Sequence, residues 1–232
     1  MQPVTSLNIE GIDAPITVRR RRTAKRVTLS VSRATGAIGM TLPSRFRLDD
    51  AVRFAEANRE WLEARIEAAP QAIPYEFGMM LPFQGRLYRV HPGKRRRVEL
   101  GDGVIHVGCD PEMLSGMLDR WLKRQARAAL VERSQAHAAE LNTSYKRITI
   151  RDTQTRWGSC SSTGTLSYSW RVILAPEGAL NYLAAHEVAH LRQMNHGPKF
   201  WALVERLVPD YEDWTDWFKT EGVELHRYGR ES

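Results

Sequence analysis

The chain has 232 residues, 42% of them hydrophobic and 26% charged. These fractions are ordinary for a globular protein and exclude a collagen-like, mucin-like or wholly disordered chain, and the length suits one large or two small domains. Lysine and arginine outnumber aspartate and glutamate by 34 to 27, a net charge of +7. Two cysteines, Cys109 and Cys160, are too few for a disulfide scaffold or a cysteine-only zinc site. No stretch reaches the ~18 apolar residues of a membrane span. The first twelve residues carry no basic segment followed by an apolar run, so the expected address is the cytoplasm.

Residues 27–31 (Val-Thr-Leu-Ser-Val) and 38–42 alternate at strand period, and Thr35-Gly36 between them supplies turn chemistry, which predicts a hairpin. Asp49 or Asp50 can cap a helix reaching about Ala69, with Val52, Phe54, Ala55, Trp61, Leu62 and Ile66 as its apolar stripe and Pro70 and Pro74 as its end. Short strands come next at 87–90, 98–100 and 104–107, broken by Gly85, Gly93, Gly101 and Gly103. A long helix is predicted over 111–141, then strands over 147–151 and 165–172. Helices over 176–194, 198–208 and 211–222 complete the chain. Strands followed by helices imply an α+β fold rather than a doubly wound sheet. Gly108-Cys109-Asp110 marks the boundary between a β-rich N-terminal region with one helix (1–108) and a second region (109–232).

His186-Glu187-Val188-Ala189-His190 is an H-E-x-x-H sequence. With 7 histidines and 17 glutamates in the chain, composition alone yields about 0.015 such matches. On a helix, residues four apart lie about 40° from one another, so both imidazoles can converge on one ion while Leu180, Ala184, Val188 and Leu191 form the buried stripe. A catalytic zinc keeps three protein ligands and an open position. His196 is the preferred third ligand, because Asn195, Gly197 and Pro198 let the chain turn after Met194 and carry it back; Glu205, on the next helix, is the rival. Three neutral imidazoles leave a bound water facing a divalent charge, which lowers its pKa towards roughly 7. Glu187 flanks the open position and can take and return the proton, which is metal-assisted hydrolysis.

Around this motif the chain resembles a known family. Arg156-Trp157-Gly158-Ser159-Cys160, Leu166-Ser167-Tyr168-Ser169-Trp170-Arg171, Tyr182, His186 to Leu191 and Asn195-His196-Gly197-Pro198-Lys199-Phe200-Trp201 resemble the YgjP-like metallopeptidases, themselves similar to SprT-like and gluzincin-type zinc proteases. The resemblance is close over about 147–217. It implies a zincin-like core, a small sheet packed on the active-site helix, with His186, His190 and His196 as ligands of one Zn2+ per chain and Glu187 as base. The spacing from His190 to His196 also equals that of the metzincins, but Gln193 stands where their pattern has glycine. In related peptidases a strand in the place of 165–172 pairs with extended substrate, and an ordinary interior strand is the other reading. Tyr182, Arg156 and Tyr168 are candidates for oxyanion or substrate contacts.

The runs Arg19-Arg20-Arg21-Arg22 with Lys25 and Arg26, and Lys94-Arg95-Arg96-Arg97, and the stripe of Arg120, Lys123, Arg124 and Arg127, could meet phosphates. The resemblance to SprT-like proteins, which act near DNA, points the same way. No base-reading module or stacking platform accompanies them, so a solvated face is the plainer reading. Phe200, Leu203, Val204 and Leu207 read as a core stripe, with Trp201, Trp214 and Trp217 packed beside it, and Cys160 reads as an inert thiol. His91, His106, His137 and His226 lack ligand spacing. These residues point to a zinc-dependent hydrolase, a metallopeptidase acting on peptide or protein substrates. Nickel, cobalt or manganese could replace the zinc in vitro. The alternatives are a metal-dependent hydrolase of nucleotides or phosphoesters, and a basic nucleic-acid-binding protein with a structural zinc.

Overall fold

The computed structural model describes residues 5–32, 36–68 and 71–229. The chain divides into two compact units, Met1–Gln71 and Ala72–Ser232. In the first, strands β1 (Thr5–Ile9), β2 (Ile12–Arg21), β3 (Thr28–Val31) and β4 (Ile38–Pro43) form a sheet in the order β1-β2-β4-β3. Ile38, Met40 and Leu42 of β4 point inward with Ile16 and Val18 of β2, the two-residue period of a half-buried strand. β3 and β4 pair antiparallel, Val31 opposite Ile38, as the predicted hairpin requires; Thr35 lies outside the described residues. The predicted helix over 49–69 is two helices, α1 (Leu48–Glu56) and α2 (Arg59–Glu67). Between them the Asn58 side chain donates to the Phe54 carbonyl at 2.7 Å, taking over an acceptor that a continuous helix would need. Ala51, Ala55 and Leu62 close the core over the sheet. Pro70 lies outside the described residues.

The second unit begins with β5 (Met80–Phe83), β6 (Arg86–Pro92), β7 (Val98–Leu100) and β8 (Val104–Val107), ordered β5-β6-β8-β7. Leu81, Phe83, Val90, Ile105 and Val107 belong to the same core cluster as Leu114, Leu118 and Leu122 of the long helix α3 (Pro111–Glu140). These strands therefore share a core with α3, and the division falls at Gln71 rather than at the expected 108–110. The physical reason is burial: separating 72–107 would expose five fully or nearly fully buried apolar side chains, each worth roughly 1.5–3 kcal/mol. The Gln84 amide, in the β5–β6 turn, also bonds to the Ile173 carbonyl at 2.9 Å. Beside it Gly85 has φ +79°, and a Cβ there would lie 3.2 Å from Pro176 Cα.

β9 (Arg147–Arg151), β10 (Gly158–Cys160) and β11 (Thr165–Ser169) form a second, three-stranded sheet in the order β10-β11-β9. A 3-10 turn (Trp170–Leu174) leads into α4 (Glu177–Ala189), followed by α5 (Pro198–Leu207), α6 (Tyr211–Thr220) and a last 3-10 turn (Gly222–Arg227). Leu166 and Tyr168 of β11 meet Leu180, Ala184 and Val188 of α4 in one core, so the small sheet lies on the helix that carries the two histidines. The architecture is α+β. Among the described residues no helix is long and apolar enough to cross a membrane.

Candidate metal centre

Helix α4 ends at Ala189, earlier than the predicted 194, with His190 as its C-cap. The chain leaves it through tight bonds from the Leu191 amide to the Val188 carbonyl and from Arg192 to Ala189, both at 3.0 Å. No residue of this turn has positive φ, so glycine at position 193 is not needed. Pro198 then starts α5, and His196 is carried back over α4.

His186, His190 and His196 come together: one ring nitrogen of each lies within 4.8 Å of the others. Phe200, fully buried on α5, forms their floor, its ring centre 4.9, 4.6 and 4.6 Å from those of His186, His190 and His196. Trp201 flanks His186 and His196. Glu205, the rival ligand, is exposed and outside the histidine cluster.

Hydrogen bonds outside the cluster orient the rings. The Thr215 hydroxyl lies 2.8 Å from the Tyr211 carbonyl and 2.9 Å from the Tyr182 hydroxyl. The Thr215 hydroxyl donates to both, one proton shared between the carbonyl and the phenol oxygen. The Tyr182 hydroxyl lies 3.3 Å from His186 Nδ1 and holds that ring in place. His190 Nδ1 donates to the Gln193 carbonyl at 3.2 Å. The His190 ring is thereby set with a lone pair on Nε2, the form a metal needs. His186 Nε2 lies 3.1 Å from His196 Nε2, a spacing that either a shared proton or a cation satisfies. Burial, with His190 and His196 alongside, pushes the His186 imidazole down to about 3; burial also lowers His190. Neutral, converging imidazoles are the donor set that a borderline divalent ion prefers.

Glu187, one residue on from His186 along α4, lies against strand β10 of the small sheet. It is 3% exposed, and its Oε2 has no hydrogen-bond partner among the described residues. Burial raises its carboxyl to about 8, with the charge of Arg156 acting in the opposite direction. It fits against β10 only because residue 158 is glycine: a Cβ there would lie 2.3 Å from Glu187 Oε1 and 2.7 Å from Cγ.

The three expected contact residues separate. Tyr182 is buried, with its hydroxyl between His186 and Thr215, and so contacts the His186 ring. Tyr168 is fully buried, with its hydroxyl 2.9 Å from Ser134 Oγ, which leaves it unable to reach an oxyanion. Arg156 is exposed beside Glu187. Of the two readings of 165–172 the interior one holds: β11 is the middle strand and is paired on both sides, and the edges are β10 and β9. Gly158, Thr215 and the floor role of Phe200 carry no sequence signal of their own, since each acts through a neighbour distant in the chain.

The sequence profile of the YgjP-like metallopeptidase domain matches residues 25–221. The chain belongs to the YgjP-like metallopeptidase family. It is thus a metal-dependent hydrolase of the metallopeptidase type. Two solved structures are similar over part of the chain, both metallopeptidase zymogens. Abylysin of Pyrococcus abyssi has 22% identity and a TM-score of 0.37, covering 40% of this chain and 93% of its own. Jannalysin of Methanocaldococcus jannaschii has 22% identity and a TM-score of 0.34, covering 41% and 94%. No curated protein matches the chain.

Proposed function

We propose that this YgjP-like protein is a zinc peptidase in which His186, His190 and His196 hold one ion and Glu187 is the general base. The observation that carries the reading is the convergence of three imidazole nitrogens within 4.8 Å, next to a buried carboxylate oxygen with no partner among the described residues. Zinc suits three nitrogen donors on rigid elements and tolerates an open position; bound there, it supplies Lewis acidity at a scissile carbonyl. The chain's own groups do the rest. Tyr182 and the Gln193 carbonyl hold the His186 and His190 rings in register. In its ionised form Glu187, whose Oε2 has no partner among the described residues, can take a proton from the attacking water and deliver it to the departing amide nitrogen. Phe200 and Trp201 keep bulk water from the far side of the imidazoles.

Glu187→Gln tests this directly. The variant keeps its zinc, measured by metal analysis of the purified protein, and loses about 10²–10⁴-fold in hydrolysis of a casein-derived peptide. Undiminished hydrolysis would refute the role of Glu187, and a zinc-loaded parent inert towards all peptides would refute the peptidase reading.

A further inference from the structure

We propose that the outward face of the three-stranded sheet, beside Glu187, is a substrate subsite that takes a peptide carboxylate. This rests on the peptidase reading and names the class of substrate. Register defines the face. Ser159 of β10 stands opposite Ser167 of β11, and Ser167 opposite Thr149 of β9, so three hydroxyl side chains form a row across the sheet. The neighbours in β11, Leu166 and Tyr168, point the other way into the core, as strand alternation requires. Arg151 lies two residues beyond Thr149 and so on the same face. Arg156 reaches it from the following loop, which is closed by the Thr153 hydroxyl donating to the Arg156 carbonyl at 2.7 Å.

Together these residues line a groove of about 520 Å³. Its ten lining residues include both arginines and no acidic side chain. Neither guanidinium has an ion-pair partner among the described residues, unlike those of Arg47, Arg53, Arg97 and Arg171. The Ser159 and Ser167 hydroxyls are likewise uncommitted to protein partners among the described residues. The Thr149 hydroxyl is engaged with the Leu166 carbonyl at 3.4 Å, so two cations beside the Ser159 and Ser167 hydroxyls are the groups that suit one anion in forked geometry. The groove adjoins the reaction centre through β10: Gly158 and Cys160 line it, and the Gly158 Cα also abuts the Glu187 side chain. A carboxylate seated there belongs to a peptide whose backbone passes Glu187. Nucleic acid is the less suitable occupant, because the groove has no aromatic side chain for a base to stack on, and two cations do not make a backbone track.

The test uses the full chain as Glu187→Gln, loaded with zinc, which holds peptides without cutting them. Three fluorescent octapeptides are compared by anisotropy: one with a single central Glu and an amidated C-terminus, its Gln counterpart, and the Gln peptide with a free C-terminus. Either carboxylate peptide is expected to bind about tenfold more tightly than the neutral one, the size of a partly solvated charge-assisted bond. Which of the two gains shows whether the carboxylate is a side chain or a chain end. Adding Arg151→Gln and Arg156→Gln removes the gain, so that the three peptides bind alike, and leaves the melting temperature within a degree or two. Equal affinities for all three peptides, or a gain that survives both substitutions, would overturn the subsite. So would a loss confined to binding of a single-stranded oligonucleotide. If the zinc-loaded parent cleaves none of the peptides while the carboxylate gain persists, the peptidase reading falls and the subsite stands.

Discussion

Gly158→Ala is the sharpest probe of how the carboxylate is held. The added methyl would start 2.3 Å from Glu187 Oε1 and 2.7 Å from both Cδ and Cγ, so the whole outer part of the side chain is in its way. Oε1 and the methyl must part by about 0.7 Å to reach even 3.0 Å, a distance that real Cβ contacts almost never undercut. Cγ is anchored by α4, whose Leu180, Ala184 and Val188 are fully buried, so rotation of the carboxylate alone does not clear the contact. Either Glu187 turns away or β10 lifts from the helix. A displacement approaching 1 Å at a reacting group costs about 10²-fold in rate, while overpacking costs about 1–3 kcal/mol in stability. The expected result is kcat/KM on a casein-derived peptide reduced about 100-fold, zinc content unchanged and a melting temperature lower by a few degrees. Full activity in a folded Gly158→Ala protein would show that Glu187 does not act from the observed position. A reduction matched by loss of zinc would show that the substitution damages the histidine cluster instead.

The remaining expectations concern groups that act at a distance. Tyr182→Phe removes the hydroxyl that holds His186 Nδ1 and lowers zinc affinity about tenfold in competition with a chelator; Thr215→Val, one bond further out, does so less, and equal affinity in all three proteins would refute the positioning role. His137 is nearly buried, and burial lowers its pKa below the ordinary 6.5 despite the bond to Asn181 at 2.8 Å. Below about pH 6.5 the unfolded chain therefore takes a proton that the folded chain refuses, so stability falls on acidification through that range, by at most about 1.4 kcal/mol per pH unit, and levels off below the folded value. His137→Gln removes that component, read as a smaller difference in urea midpoint between pH 5 and pH 7.5; an unaltered difference would rule it out.

How far the sequence discloses the fold depends on the range of each interaction. Two histidines four apart on a helix are a local pattern, and the turn that returns His196 is written in Asn195, Gly197 and Pro198, so the cluster is legible. The exit from α4 lies five residues before its predicted place because the turn after Ala189 uses ordinary backbone angles that leave no glycine mark. β1 and β2 are not legible: Pro15 sits inside β2 and Arg19 to Arg21 end it, features that argue against a strand on local grounds. Arg20 is instead satisfied by tertiary contacts, donating to the Phe46 carbonyl at 2.6 Å and the Ser44 carbonyl at 3.1 Å. The division at Gln71 is hidden because Gly108-Cys109-Asp110 looks like a linker, whereas it is a tight joint between β8 and α3 inside one core. Strand order is non-local as well, and alternation in 165–172 could not show that both sides of β11 are paired.

The donor set and the structure that aims it therefore have different origins. His186, Glu187 and His190 share one turn of α4, but the direction of each is set by a separate element: Tyr182 and the α6 residue Thr215 for His186, the turn carbonyl of Gln193 for His190, and β10 for Glu187. A buried carboxylate oxygen without a partner costs about 1–3 kcal/mol or more, and among the described residues the charge of Arg156 offsets it without a hydrogen bond. Such an arrangement persists only where the surrounding packing dictates it, here by Gly158 on one side and the buried face of α4 on the other. A structural metal site has no use for that carboxylate. A hydrolase does, since an oxygen already bonded to the protein could not accept the proton of an attacking water. The idle oxygen on Glu187 thus favours catalysis over a purely structural ion, independently of the three histidines that both readings share.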